Sequence, residues 1–217
     1  MLTSLVGSEM CIRDSLFIEQ KFLGYVEQKN FALKKASYNH IVSLDGDESL
    51  SHELQQSILK VKSNWTNDGY YCNRYNNFCG QWIKYSDWYP NKKIRVFDKR
   101  KSCWKGINPH DQVFVNSSKK IGKLKGDILH LTYQSCSEFN QKVESFSSIS
   151  AESYYKLGKR SNLFKIIWNP SWAFFKSYIL RLGFLDGKNG LFICYQTGKR
   201  TFLKYAKLWK IQKTNSL

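Results

Sequence analysis

The chain has 217 residues and is strongly basic, with 34 lysines and arginines against 17 acidic residues, a net charge of +17 and a sequence pI of about 9.6. A hydrophobic content of 42% with only 3 prolines and 13 glycines excludes a disordered tail or a fibrous protein. The charge indicates a polyanionic partner. Nucleic acid, an anionic membrane and a nucleotide-linked or phosphorylated substrate all fit this charge equally well.

The first fifteen residues differ in character from the rest. Residues 4 to 15 read SLVGSEMCIRDS and resemble a translated sequencing-adapter read-through, and they lack the basic start and apolar core of a signal peptide. We expect residues 1–15 to be an artefact, or else a disordered tail, and the natural protein to extend upstream of Leu16. The six cysteines form no C-x-x-C pair, so we expect free thiols in a reducing cytoplasm.

From Leu16 onward the pattern is mixed α/β. Residues 25–36 have helical spacing, and the apolar run 41–44 predicts a short buried strand. That strand ends in the acidic turn Asp45-Gly-Asp47-Glu48, after which Ser49 or Ser51 can cap a helix. We expect Glu48 in the first turn of that helix, where the helix dipole favours an acid.

The second half of the chain changes from strands to basic helices. Residues 65–105 are aromatic and read as short strands and loops, and from about Cys136 the pattern is helical. Residues 156–217 hold 13 lysines and arginines and one acid, Asp186. Within them, residues 163–184 are apolar but carry charges, which makes a poor membrane span and a better interfacial helix pair. Helices that pack on the domain with a solvated lysine face are an equally good alternative.

The acidic turn carries the main functional signal. An apolar strand that ends in Asp-x-Asp places two carboxylates at the end of a sheet, where ligands bind in open α/β folds and where Mg2+ or Mn2+ finds oxygen ligands. Several blocks accompany it in order: FLGYVEQKNFAL (22–33), HIVSLDGDE (40–48), FCGQW (78–82), WYP (88–90), NPHD (108–111), GDILH (126–130) and GFLDG (183–187). This series resembles the family 2 glycosyltransferases over residues 20 to 210, and is similar to the branch with bacterial lipopolysaccharide-core β-glucosyltransferases.

The resemblance implies a fold and an activity. It implies a GT-A-like α/β fold with a Rossmann-like sheet that binds the nucleotide sugar and is incomplete at its N-terminus. Residues 16–135 would form the partial catalytic domain. Residues 136–217 would form a basic, amphipathic helical segment at the membrane interface. The expected activity is inverting, metal-dependent transfer from a nucleotide-diphospho-sugar to a lipopolysaccharide-core or other lipid-linked glycan. We expect the protein in the cytoplasm, peripheral on the anionic inner face of the bacterial cytoplasmic membrane, without nucleic acid.

Two alternatives to this activity stay open. A non-enzymatic nucleic-acid-binding protein would explain the charge and the aromatic residues equally well but leaves the acidic turn unexplained, since carboxylates repel phosphate. An inactive, truncated transferase is the other alternative.

The resemblance also implies roles for individual residues. Asp111 is the expected catalytic base, with an ordinary turn aspartate as the alternative. Asp47 is the best candidate ligand for Mg2+ or Mn2+, and Asp45 contacts metal or ribose. His130 contacts metal or diphosphate, unless it is a plain core histidine. The expected donor-binding residues are Gln28, Lys29, Asn30 and Arg95, which otherwise lie on solvated surfaces. The expected acceptor-binding residues are Trp82, Trp88, Tyr89 and His110, which otherwise belong to the core or the surface.

Overall fold

The computed structural model describes residues 16–107, 110–116 and 121–214, and for Ile107 and His110 it describes the backbone alone. The helices are α1 (Tyr25–Lys35), α2 (His52–Ser63), α3 (Cys136–Lys156), α4 (Leu163–Phe175) and α5 (Gly187–Thr214). The strands are β1 (His40–Val42), β2 (Glu48–Leu50), β3 (Gly69–Phe78), β4 (Gln81–Trp82), β5 (Asn91–Asp98), β6 (Ser102–Ile107), β7 (His110–Val115) and β8 (Gly122–Tyr133). The predicted mixed α/β class is confirmed, and residues 1–15 lie outside the described part.

One sheet holds most of the strands. Its order is β1-β5-β3-β8-β2, with β4 paired to β3, while β6 and β7 form a separate antiparallel hairpin. Within the described residues, β3 and β8 run parallel and the other neighbours run antiparallel. The finer GT-A arrangement, with a Rossmann-like sheet, stays a prediction.

The strand before the acidic turn lies at an edge of this sheet. Strand β1 pairs with β5, and among the described strands it has no second neighbour. His40 and Val42 are exposed and Ile41 is half-buried. The prediction of a buried strand was wrong, because a strand at the edge of the sheet is exposed to solvent on its unpaired side. Strand β2 lies at the opposite edge of the sheet, so residues 43–47 lead from β1 past β5, β3 and β8 to β2.

A serine begins the helix that follows the acidic turn. Ser51 is the N-cap of α2, and its hydroxyl accepts a hydrogen bond from the Leu54 amide at 3.3 Å. Glu48 lies in β2 instead, where its carboxylate accepts the Asp45 amide at 3.1 Å. The prediction that Glu48 supports the helix start was wrong, because the ladder with β8 holds Glu48 three residues before the cap.

Buried clusters join the helices to the sheet. One cluster, which includes Leu54 and Ile128, packs α2 on the sheet. Another joins Phe78 of β3 to Phe139 of α3 and Ile193 of α5. The basic helical segment therefore shares a hydrophobic core with the end of the sheet. The five described cysteines are free thiols, as predicted.

Candidate active site

A network of ion pairs surrounds the first aspartate of the acidic turn. The Lys29 ammonium lies 3.0 Å from Asp45 Oδ1 and 2.8 Å from Asp111 Oδ2. The Arg95 guanidinium lies 2.8 Å from Asp45 Oδ2 and 3.0 Å from Glu48 Oε1. The structure thus brings the predicted base, two predicted donor-binding residues and the acidic turn into one network.

The contact between α1 and the β6–β7 hairpin holds this network in place. The Asn30 side chain donates to the Trp104 carbonyl and accepts from the Trp104 amide, both at 2.9 Å. The Lys29 ammonium lies 4.3 Å from the centre of the Trp104 ring, a cation–π distance. The hydrogen bonds of Asn30 therefore hold α1, which carries Lys29, against the β6–β7 hairpin, which carries Asp111. Gln28, the third predicted donor residue on α1, has a buried Oε1 without a partner in the described part of the chain.

The surroundings of Asp45 favour the ionised form of its carboxyl group. Burial acts to raise the pKa of Asp45, but Arg95 and Lys29 outweigh it, so that this pKa lies below its ordinary value. Both carboxylate oxygens already face a cation. A metal or ribose contact at Asp45 would require Lys29 or Arg95 to move, and this role stays a prediction.

A second cluster surrounds the other aspartate of the turn. His130 Nε2 lies 3.2 Å from Asp47 Oδ2, and His130 Nδ1 lies 2.7 Å from Asn76 Oδ1. The Asn76 amide nitrogen donates to the Trp88 carbonyl at 3.0 Å, which turns Oδ1 toward the histidine and makes Nδ1 the donor. Nε2 then donates to Asp47 only when both ring nitrogens carry a proton, and without that proton its lone pair is open to a cation. A hydrogen bond with His130 lowers the pKa of Asp47, which is half-exposed.

This pair of side chains fits a divalent cation. Two neighbouring ligands of an octahedral Mg2+, each at about 2.1 Å, lie about 3.0 Å apart, close to the 3.2 Å between Asp47 and His130. Within the described ranges no group of three or more histidines, cysteines or acids comes together. Asp47 and His130 would therefore share the ion with substrate phosphates and water, as is usual for Mg2+.

A cavity beside the first network suits a polyphosphate. We name it the Lys29 cavity, with a volume of about 660 Å3, within the range of small-molecule sites. Its charged lining residues are Lys29, Arg74, Lys92, Lys93, Arg95, Asp45 and Asp111. Five cations against two acids favour an anionic ligand.

The predicted acceptor residues lie in different surroundings. Trp88 lines a second cavity near Asn76 and Thr132. Trp82 packs against Tyr75, with ring centres 5.0 Å apart, and the Tyr89 hydroxyl donates to Asp127 at 3.1 Å. The side chain of His110 lies outside the described part.

The sequence interpretation missed several residues of the site. Glu48 and Arg74 belong to the first network, with 3.5 Å between Glu48 Oε1 and Arg74 Nη1. Asn76 and Thr132 both contact His130. The available signal was the polar side chains of Arg74 and Asn76, which are two residues apart in β3 and so share one face of the sheet.

The fold and the site define a mixed α/β protein with an acidic turn between a cation-lined cavity and a histidine–carboxylate pair.

No family model matches the chain. It is 29% identical over 205 residues to an uncharacterised glycosyltransferase of Rickettsia prowazekii (strain Madrid E), covering 88% of this chain and 69% of the relative. An uncharacterised glycosyltransferase of Rickettsia felis (strain ATCC VR-1525 / URRWXCal2) is 28% identical over 204 residues, with 88% and 71% covered.

A relative whose name gives its pathway has a lower sequence identity to this chain. The lipopolysaccharide core biosynthesis glycosyltransferase LpsC of Rhizobium meliloti (strain 1021) is 24% identical over 185 residues, covering 84% of this chain and 65% of LpsC. The chain is therefore a homologue of bacterial glycosyltransferases, related to an enzyme of lipopolysaccharide core biosynthesis. This confirms the resemblance at the level of a glycosyltransferase.

Proposed function

We propose that this chain is a family 2, GT-A-type glycosyltransferase that moves a sugar, with inversion, from a nucleotide-diphospho-sugar to a lipopolysaccharide-core or other lipid-linked glycan. The observation that carries the proposal is the Lys29 bridge: Lys29 contacts Asp45 of the acidic turn and also Asp111, which lies 82 residues after Lys29 in the chain. Oxygen ligands for a metal and cations for a diphosphate thus lie on either side of one short turn. The glycosyltransferase relatives support the same reading.

Each part of the site has a role in such a transfer. A divalent cation held by Asp47 and His130 would neutralise the charge of the leaving diphosphate. Lys29 and Arg95 bind the same phosphates from the Lys29 cavity. Asp111 takes the proton from the acceptor hydroxyl. A phosphate that draws Lys29 away from Asp111 leaves this carboxylate ready to act as the base, which couples donor binding to acceptor activation.

The metal assignment is tested by Mn2+ binding to purified protein, measured by isothermal titration calorimetry. Asp47→Ala removes one of the two protein ligands, so we expect at least about tenfold weaker Mn2+ binding. Glu144→Ala is the control, because Glu144 is a half-exposed partner of Lys207 and lines neither cavity. Equal Mn2+ binding by Asp47→Ala and wild type would contradict the metal site.

The base assignment is tested separately. Asp111→Asn should leave Mn2+ binding intact and lower sugar transfer from a panel of nucleotide sugars by at least about a hundredfold. Transfer at the wild-type rate by this variant would exclude Asp111 as the base.

The proposal includes attachment to the anionic inner face of the cytoplasmic membrane through α4. One side of α4 exposes large apolar residues: Phe164 68%, Ile167 69%, Trp168 56%, Trp172 48% and Phe175 45%. The opposite side contributes Ile166 to the core, and Lys165 and Lys176 are exposed beside the apolar side. Such a helix suits the membrane interface, where each basic residue adds about 1 kcal/mol. No helix in the described part is long and apolar enough to cross a bilayer.

Vesicle sedimentation tests this attachment. Wild-type protein should sediment with vesicles that contain anionic phosphatidylglycerol and less with neutral phosphatidylcholine vesicles. The double variant Trp168→Ser/Trp172→Ser should lose most of this binding. Tyr38→Ser, which removes a residue 82% exposed elsewhere, should keep it. Equal sedimentation of both variants would contradict docking through α4.

A further inference from the structure

We propose that a second cavity binds an acceptor sugar that bears an anionic group, phosphate or carboxylate. This inference rests on the proposed function, since it identifies the acceptor side of the same site. We name it the Arg200 cavity. It has a volume of about 190 Å3, and Arg200 of α5, Thr132 of β8 and Asn76 of β3 are among its lining residues. This volume lies below the about 300 Å3 at which drug-sized sites begin, so the cavity suits a single sugar ring.

The walls of the Arg200 cavity combine aromatic and polar surfaces. The rings of Trp88 and Tyr133 lie 6.2 Å apart at 43°, and both line the cavity. Aromatic walls with a few polar groups are typical of sites that orient a small ligand. Gln196 is 2% exposed, and its amide donates to Asn140 at 2.6 Å. Its Oε1 atom has no hydrogen-bond partner among the described residues, and a sugar hydroxyl at this wall would supply one.

Two arginines make the Arg200 cavity cationic. Arg200 is exposed and makes no ion pair with any residue that the structure describes. Arg74 has a 3.5 Å contact with Glu48, and its Nε atom is buried without a partner in the described part. Asp87, which also lines the cavity, already pairs with Arg181 at 2.8 Å. Guanidinium groups bind phosphate and carboxylate through paired hydrogen bonds.

The position of the cavity connects it to the reaction. Asn76 and Thr132 contact His130, whose other ring nitrogen faces Asp47. Arg74 lines both the Arg200 cavity and the Lys29 cavity. A sugar in the Arg200 cavity would therefore lie next to the metal pair, and Arg74 would contact groups on both sides of the reacting bond.

The test measures sugar binding to the full chain through the tryptophan indole signals in NMR titrations. The probes are glucose 6-phosphate, glucuronate and glucose. We expect at least one anionic sugar to bind more tightly than glucose. Arg200→Gln should weaken its binding about tenfold, as expected for a lost charge-assisted hydrogen bond, and Arg200→Lys should weaken it less. A preference for glucose 6-phosphate would identify a phosphorylated acceptor, and one for glucuronate an acidic sugar.

A control with the same charge change keeps the test specific. Lys210→Gln lies ten residues further along α5, about 15 Å away, and should alter binding less than twofold. Equal weakening by Lys210→Gln, equal binding of glucose and the anionic sugars, or no saturable sugar binding would each overturn the inference. Mn2+ binding is measured on the same samples. Loss of the sugar preference with Mn2+ binding intact counts against the Arg200 cavity alone, and absent Mn2+ binding counts against the proposed transferase site.

Discussion

At the scale of single residues, the two aspartates of the acidic turn have different surroundings. Asp45 is paired with Lys29 and Arg95, whereas Asp47 is half-exposed beside His130. An Asp-Gly-Asp motif by itself presents both as equal candidate ligands. In the proposed function, Asp47 is therefore the metal ligand, and Asp45 holds Lys29 and Arg95 in position.

The lowered pKa of Asp45 predicts an acid-dependent loss of stability. Because this pKa is lower in the folded protein than the usual value of about 3.9, Asp45 stabilises the fold fully above about pH 4 and progressively less as the pH falls through the folded pKa. Asp45→Asn should lower the free energy of unfolding at pH 7. Since the side chain is 34% exposed, the loss should be about 1 kcal/mol or less.

Urea unfolding at several pH values measures this effect. The difference between wild type and Asp45→Asn should shrink below pH 4 and vanish once wild-type Asp45 is protonated. A difference that stays constant down to pH 2.5 would show that the charge of Asp45 does not stabilise the fold.

At the scale of elements, the junction between α2 and β8 places the acidic turn. The amide of Ser51 donates to the Asp127 carbonyl, and the amide of Asp127 donates to the Ser51 hydroxyl, both at 3.0 Å. Gly126 precedes this contact with φ of +86°, and a Cβ atom there would lie 2.3 Å from the Leu54 amide nitrogen. Only glycine allows α2 to begin this close to β8, which fixes β2 and the turn before it.

Gly126→Ala should destabilise the protein by about 3 kcal/mol, because it combines a positive φ with a clash against backbone. Gly158→Ala is the matched control, since Gly158 has φ of +72° and no atom within 4 Å of the added Cβ. It should cost about 1 kcal/mol. Chemical denaturation of both variants checks the difference, and equal losses would contradict the close approach of α2 and β8.

At the scale of the whole molecule, one buried acid helps to attach the basic helices to the sheet. Asp186, the only acidic residue in residues 156–217, is 6% exposed. Its carboxylate accepts the backbone amides of Lys84 at 3.1 Å and Tyr85 at 2.9 Å. The helical segment is thereby attached beside β4, next to the elements that line the Arg200 cavity.

Asp186→Asn should lower the free energy of unfolding by about 2 kcal/mol, because an amide nitrogen would face a backbone donor in a buried position. Asp87→Asn, which disrupts an exposed ion pair with Arg181, should change it by less than about 0.5 kcal/mol. Thermal unfolding of the two variants provides the measurement. Similar losses would contradict the role of Asp186 as a buried link.

Much of the fold could be read from local patterns, and much of the site could not. The helix at 25–36, the helical region from Cys136 and the acidic turn were predicted because hydrophobic periodicity and turn residues act over a few positions. The edge position of β1 and the pairing of Glu48 with Arg95 were missed. Both depend on strands far along the chain, whose order no local pattern reveals.

The amino-acid sequence by itself determined the α/β class, the Asp-x-Asp turn and the concentration of positive charge in the C-terminal helices. Only the tertiary structure decided that Lys29 bridges Asp45 and Asp111, that Asp47 faces His130, and that Arg74 lines both cavities. The physical reason is distance along the chain. Charges separated by tens of residues interact only after the order of strands and the packing of helices bring them within a few ångströms.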